Sequence, residues 1–165
     1  MRKEYFRKIR ASFLINAPKT TQTSYAPERP LVLVADDHED TRLLYRTVIE
    51  TRGYFVIEAA DGEETVRNAE SARPDLILMD GSLPRMSGLD ATRQIRGSAD
   101  VGNVPIVFVS GHSGTVFLAL AHEAGCDEYL VKPFNLDKLE HILENIAART
   151  GELSPFRFCK GVFRR

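Results

Sequence analysis

The chain has 165 residues, of which 43% are hydrophobic and 27% charged, and its formal net charge at pH 7 is -1. This length and composition predict one globular domain with terminal extensions. Two widely separated cysteines, Cys126 and Cys159, argue against a disulfide framework or a zinc site, and no run approaches the roughly 20 apolar residues of a transmembrane helix. We therefore expect a cytoplasmic protein without a transmembrane segment.

Charge is distributed unevenly along the chain. Residues 1–29 carry a net charge of +5 and residues 151–165 a net charge of +3, which leaves -9 for the residues between them. The stretch from Ala17 to Pro30 is rich in Pro, Thr and Ser, which is typical of a flexible linker. We predict a basic N-terminal extension and linker over 1–29, a folded domain over 30–150 and a basic C-terminal tail over 151–165.

Short apolar runs predict five β-strands, at residues 31–35, 55–57, 76–79, 106–109 and 128–131. A helical pattern follows each of them. Asp40 or a neighbour is the predicted cap of the first helix, and Asp61 with Glu64 is spaced like a capping box for the second. The apolar positions of the first helix are Leu43, Leu44, Val48 and Ile49.

The remaining helices are predicted over about 89–96, from a cap at Ser113 to about Ala124, and from a cap at Asn135 onward. The core stripe of the last helix comprises Leu136, Leu139, Leu143 and Ile146. Strands that alternate with helices predict a doubly wound, five-stranded parallel sheet with helices on both faces, in the α/β class.

Polar residues stand where these strands end. In an open parallel sheet, ligands bind beyond the carboxyl ends of the strands, at the point where strand order reverses. Three carboxylates that converge on one small site repel each other unless a divalent cation neutralises them, and Mg²⁺ prefers such hard oxygen ligands. The residues at these strand ends are Asp36, Asp37, Asp80, Ser110 and Lys132.

This residue set suits phosphoryl chemistry. A carboxylate held beside a metal ion can attack a phosphoryl donor and become an aspartyl phosphate. The ammonium of Lys132 would offset the charge on the phosphoryl oxygens, and the hydroxyl of Ser110 could hydrogen-bond one of them.

The same positions resemble the response-regulator receiver family of two-component signal transduction, over about residues 30–150. The resemblance implies a flavodoxin-like sheet with strand order 2-1-3-4-5. It rests on Asp36-Asp37, on Asp80 followed by Leu83-Pro84 and Gly88, on Val109-Ser110-Gly111, and on Tyr129 followed by Lys132-Pro133-Phe134.

The resemblance also implies a role for each site residue. Asp80 would be the phosphoacceptor, assisted by Lys132 and Ser110, and the Lys132-Pro133 bond would be cis. Ser110 and Tyr129 would form the switch pair. Mg²⁺ would be bound by Asp80, by Asp37 directly, by Asp36 through water and by the backbone carbonyl of Ser82.

Partners follow from the resemblance too. A histidine kinase or phosphotransfer protein would donate the phosphoryl group, and a downstream protein would bind the face of the fourth helix, fifth strand and fifth helix. Family members often pair through this face when phosphorylated, so the resemblance also allows a phosphorylation-dependent dimer. About 15 residues follow the last helix, so we expect a stand-alone signalling domain without a DNA-binding domain and not an enzyme acting on metabolites.

Three departures and three alternatives remain at this point. Ser replaces the commoner Thr at position 110, Gly81 follows the acceptor, and Cys126 stands where Ala is usual. The main alternative is a phosphorylation-independent receiver-like scaffold. An aspartyl-phosphate phosphatase would need an acid where Ser82 stands, and a dinucleotide-binding fold would need a Gly-rich turn where Asp36-Asp37-His38 stands.

Overall fold

A computed structural model of the protein describes residues 29–149. Residues 1–28 of the predicted extension, most of the linker, and the C-terminal tail with Cys159 lie outside the described residues. Among the helices of the described range, none combines the length and apolar character that crossing a lipid bilayer requires.

Five parallel strands form one sheet in the order β2-β1-β3-β4-β5. This confirms the predicted sheet and its strand order. The order reverses between β1 and β3, so a crevice opens beyond the carboxyl ends of these two neighbouring strands. The strands are β1 (Leu31–Ala35), β2 (Phe55–Ala59), β3 (Leu76–Asp80), β4 (Ile106–Ser110) and β5 (Glu128–Val131).

Helices cover both faces of the sheet, because side chains along each central strand alternate between two cores. Leu33 and Ile77 pack on the side of the second, third and fourth helices, and Val34 and Leu78 pack on the side of the first and fifth. The helices are α1 (Glu39–Thr51), α2 (Gly62–Ala72), α3 (Gly88–Arg96), α4 (Thr115–Ala124) and α5 (Leu136–Arg149).

Two predicted helix caps are confirmed. Asp61 Oδ1 accepts a hydrogen bond from the N–H of Glu64 at 2.8 Å, and Glu64 Oε2 accepts one from Ala60 at 2.9 Å, which completes a variant of the capping box. Asn135 Oδ1 accepts from the N–H of Asp137 at 3.1 Å at the start of α5.

Two other predicted caps are wrong. The carbonyl of His38 accepts the first helical bond of α1, from Arg42 at 3.1 Å, so Asp40 lies inside the first turn. There its negative charge still interacts favourably with the positive, N-terminal end of the helix dipole. The carbonyl of Gly114 accepts the N–H of Leu118 at 3.2 Å, so Gly114 is the N-cap and α4 begins at Thr115, two residues after Ser113.

The buried face of α1 also differs from the prediction. Leu43 and Leu44 are exposed, against the prediction. Ile49 is buried and Val48 is partly buried, as predicted, and Tyr45, which the prediction omitted, is buried as well. The buried stripe is rotated because Tyr45 packs inward and stacks on the ring of Phe134, with 6.0 Å between ring centroids. The prediction considered only strongly apolar residues, so it placed the two leucines in the buried face and omitted the amphipathic Tyr45.

The stripe of α5 is confirmed in part. Leu139 and Leu143 are buried as predicted, together with Ile142, which the prediction omitted. Leu136 is only partly buried. The side chain of Ile146 lies outside the described side chains.

Substitutions on α1 test this face. Ile49 is 0% exposed and Leu43 is 58% exposed. We expect Ile49→Ala to lower the free energy of unfolding by about 2–5 kcal/mol, because a cavity remains in the core. The matched control Leu43→Ala should change it by less than about 0.5 kcal/mol. Urea denaturation measures both, and equal losses would show that α1 packs through the leucines.

Candidate functional site

Three carboxylates lie at the carboxyl ends of β1 and β3, on either side of the crevice. Asp36 is buried, and Asp80 is 8% exposed. The side chain of Asp37 is 37% exposed and lies nearest to solvent. The structure thus brings the three predicted acidic site residues to one edge of the sheet.

Lys132, which follows β5, bridges the two buried carboxylates. Its Nζ lies 2.6 Å from Asp36 Oδ2 and 2.7 Å from Asp80 Oδ2. Its backbone N–H donates to the carbonyl of Ser110 at 2.8 Å, and the Lys132-Pro133 bond is cis, as predicted. Lys132 therefore links the end of β5 to the ends of β1 and β3 through its ammonium, and to the end of β4 through its backbone.

The charge of this ammonium is secured by its partners. Burial alone lowers the pKa of Lys132. The hydrogen bonds that its ammonium donates to Asp36 and Asp80, and its attraction to their charges, outweigh burial and raise the pKa above the ordinary lysine value. A base whose pKa is raised by folding stabilises the fold fully below its ordinary pKa and loses that effect as pH rises through the raised value. Lys132 is therefore fully charged at neutral pH.

Backbone groups fix the orientation of the two buried carboxylates. Asp36 Oδ1 accepts the N–H of His38, and Asp80 Oδ1 accepts the N–H of Ser82, each at 2.9 Å. Arg42 on α1 donates to the backbone carbonyl of Asp36 at 2.7 Å. Sequence reasoning missed Arg42, because nothing in the pattern distinguishes it from the other arginines of the helix.

The donor set fits a hard divalent cation. One ammonium faces three carboxylates, which leaves excess negative charge, and carboxylate oxygens are ligands that Mg²⁺ prefers. In the described part of the chain, one tight group of metal-ligating side chains occurs, in which the ligand atoms of Asp36, Asp37 and His38 lie within 4.8 Å of one another. Asp80 stands across the Lys132 ammonium from this group.

The predicted switch residues are joined through His112. The hydroxyl of Ser110, a buried residue, accepts the N–H of His112 at 3.2 Å and lies 3.2 Å from its Nδ1. The Tyr129 hydroxyl donates to the carbonyl of His112 at 2.7 Å. A displacement of Ser110 or of Tyr129 therefore disturbs a hydrogen bond to His112.

An aromatic side chain that the sequence did not single out lies beside this pair. The ring of Phe117, on α4, stacks on His112 with 4.8 Å between centroids and meets Tyr129 edge-on at 6.2 Å. A Cβ atom at position 81 would lie 2.7 Å from Phe117 Cζ. A side chain at position 81 would press on the tip of the Phe117 ring, so Gly81, a departure from the commonest family pattern, leaves room for that ring.

Comparisons with known proteins agree with this geometry. The family model described as "Response regulator receiver domain" matches residues 32–144. The chain is 38% identical over 118 residues to the CAI-1 autoinducer sensor kinase/phosphatase CqsS of Vibrio cholerae, covering 71% of this chain and 17% of that protein. It is 34% identical over 141 residues to the transcriptional regulatory protein PdtaR of Mycobacterium tuberculosis, covering 85% of this chain and 66% of that protein.

A solved structure of a receiver domain has the same fold. The receiver domain of the sensor histidine kinase PA1611 from Pseudomonas aeruginosa superposes with a TM-score of 0.69 at 32% identity, covering 73% of this chain and 99% of that one. That structure has a magnesium ion coordinated in its active-site cleft. The chain spans 17% of the length of CqsS and 66% of the length of PdtaR, so the similarity concerns the domain.

The excess negative charge leads to a stability prediction. Asp37→Asn removes a carboxylate that Lys132 does not contact, so we expect the free energy of unfolding at pH 7 without divalent ions to rise by about 0.5 kcal/mol. The gain should shrink at high salt, which screens the repulsion. Urea denaturation in a chelator measures it, with Glu70→Gln on the exposed side of α2 as the control. A loss of stability in Asp37→Asn would contradict net repulsion at the site.

Proposed function

Because this chain belongs to the response regulator receiver domain family, we propose that Asp80 accepts a phosphoryl group in a Mg²⁺-dependent reaction. Receiver domains are signalling domains of two-component systems. The observation that carries the proposal is the Asp80 carboxylate at the sheet's switch point, slightly exposed and held by the Lys132 ammonium at 2.7 Å. The donor would be the phosphohistidine of a histidine kinase or phosphotransfer protein.

In the proposed step, a carboxylate oxygen of Asp80 attacks the phosphorus atom. An O–P bond forms as the P–N bond of the phosphohistidine breaks, and the electron pair of the broken bond remains on the imidazole nitrogen. The N–H of Ser82 and the ammonium of Lys132 already hold the two carboxylate oxygens at 2.9 and 2.7 Å, so the nucleophile is oriented before the donor arrives. Lys132 then offsets the charge of the phosphoryl oxygens.

The carboxylates of the crevice would hold the metal ion. Asp37 and Asp80 would bind it directly, Asp36 through water, and the backbone carbonyl of Ser82 would complete the protein's share. A bound Mg²⁺ supplies positive charge that offsets the charge on the carboxylates and on the transferring phosphoryl group. Asp36 is suited to the outer position because it is more deeply buried than Asp37 and Asp80.

The signal would leave the site through Ser110 and Tyr129. A phosphoryl oxygen would attract the Ser110 hydroxyl, which breaks its contacts with His112, and Tyr129 would turn inward. The face of α4, β5 and α5 reads this change and binds a protein partner or a second copy of the chain. Val116, Leu118, Leu120 and Val131 expose apolar surface there.

The proposal also covers the division of the chain into a receiver unit and two terminal segments. We propose that residues 30–150 act as a receiver unit in the cytoplasm, flanked by a basic extension over 1–29 and a basic tail over 151–165. The residues assigned to the proposed chemistry, from Asp36 to Lys132, all lie between these two segments.

A small-molecule donor tests the reaction. With Mg²⁺ and acetyl phosphate, intact-mass spectrometry should find one phosphoryl adduct on the wild type and none on Asp80→Asn, which keeps the shape but removes the nucleophile. The matched control Asp100→Asn, an exposed aspartate paired with Arg73, should be labelled like the wild type. A chelator should abolish labelling.

Two results would count against the proposal. Labelling of Asp80→Asn at the wild-type rate would show that another residue accepts the phosphoryl group. No adduct in any folded sample would favour the phosphorylation-independent scaffold.

A further inference from the structure

The loop between β3 and α3, residues 81–87, contains a strained turn. The N–H of Met86 donates to the carbonyl of Pro84 at 2.7 Å, which closes a three-residue turn around Arg85. Arg85 has φ of 63°, a left-handed conformation that is uncommon for residues other than glycine. Three-residue turns with a positive φ at the centre are rare and strained, so other contacts must hold this one in place.

A buried carboxylate faces this turn from the neighbouring loop. Asp61 is 1% exposed, and its Oδ1 caps α2. No well-aligned hydrogen bond from the described residues reaches its Oδ2, but Nη2 of Arg85 lies 2.6 Å from that atom. A buried carboxylate without a cation is costly, so the guanidinium supplies the charge that Asp61 needs.

Close backbone contacts reinforce this ion pair. A Cβ atom on Gly62, the residue after Asp61, would lie 2.1 Å from the carbonyl oxygen of Met86. At the other end of the loop, a Cβ atom on Gly88 would lie 2.1 Å from the carbonyl oxygen of Asp80. The loop is therefore clamped between the start of α2 and the end of β3, and the Arg85–Asp61 pair is the charged part of the clamp.

We infer that Arg85 is a positioning residue for the metal site. By anchoring the strained turn to Asp61, it fixes the loop that carries Ser82. The N–H of Ser82 donates to Asp80 Oδ1 at 2.9 Å, and its carbonyl is the proposed metal ligand, so the inference rests on the proposed function. Arg85 itself touches neither the metal ion nor the phosphoryl group.

The direction of the change in Mg²⁺ affinity distinguishes a positioning role of Arg85 from a purely electrostatic one. A cation near a Mg²⁺ site repels the metal ion, so removing the charge of Arg85 would strengthen binding if electrostatics alone acted. Loss of positioning would weaken binding. The affinity for Mg²⁺ therefore discriminates the two effects without any measurement of phosphorylation.

The experiment is a titration of the full chain with MgCl₂, followed by the NMR shifts of backbone amides, which also report whether each variant is folded. We expect Arg85→Gln to weaken Mg²⁺ binding about tenfold, the lower end of the effect of groups that orient metal ligands. Arg85→Lys should restore most of the affinity because it keeps a cation near Asp61. Arg67→Gln, in an exposed pair with Glu63 on α2, is the matched control and should bind like the wild type.

Further variants test the ion pair itself. Glycine adopts a positive φ without strain, so Arg85→Gly keeps the turn and removes only the anchor, and it should weaken binding as Arg85→Gln does. Asp61→Asn retains the cap oxygen and loses the charge, and combining it with Arg85→Gln should weaken binding no further than either change alone.

Unchanged or tighter Mg²⁺ binding in folded Arg85→Gln, or wild-type binding in Arg85→Gly, would overturn the inference while leaving the proposed function intact. If the wild type shows no Mg²⁺-dependent shifts at the amides near Asp80, the proposed metal site fails and the inference fails with it.

Discussion

The fold and the site depend on one interaction, the Lys132 ammonium between the buried carboxylates of Asp36 and Asp80. Burying two like charges at neighbouring strand ends is unfavourable, and the cation between them offsets their repulsion and links the ends of β1, β3 and β5. The same arrangement leaves an excess of negative charge at the mouth of the crevice. That excess charge favours a divalent cation, and in the proposed function the cation and the Lys132 ammonium together would offset the charge of the phosphoryl group.

Topology explains why these residues meet although they are far apart in sequence. Parallel strands direct all their carboxyl ends to one edge, and the reversal of strand order between β1 and β3 leaves room beyond that edge. The predictive signal lay in where each polar residue falls relative to an apolar run. For this reason the sheet, the strand order and the meeting of Asp80 with Lys132 could be predicted from the sequence and its family resemblance.

Other features depend on contacts that a sequence pattern does not encode. The inward face of α1 is set by the packing of Tyr45 on Phe134, whereas helical periodicity alone also allowed a face with Leu43. The pairing of Arg85 with Asp61 joins two loops, and each residue alone reads as an ordinary turn or cap residue. One feature of the sequence indicated indirectly that a bulky group such as Phe117 lies near the site: a glycine, which has no side chain, follows Asp80.

The assignment of the phosphoryl group to Asp80 can be tested by trapping the acyl phosphate chemically. Borohydride reduces an acyl phosphate to an alcohol, which converts a phosphorylated aspartate into homoserine, and peptide mass spectrometry then locates the converted residue. After phosphorylation of the wild type, our account predicts homoserine at position 80 alone. Homoserine at position 36 or 37 instead would contradict it, because the nucleophile would then be a carboxylate that we assign to the metal ion.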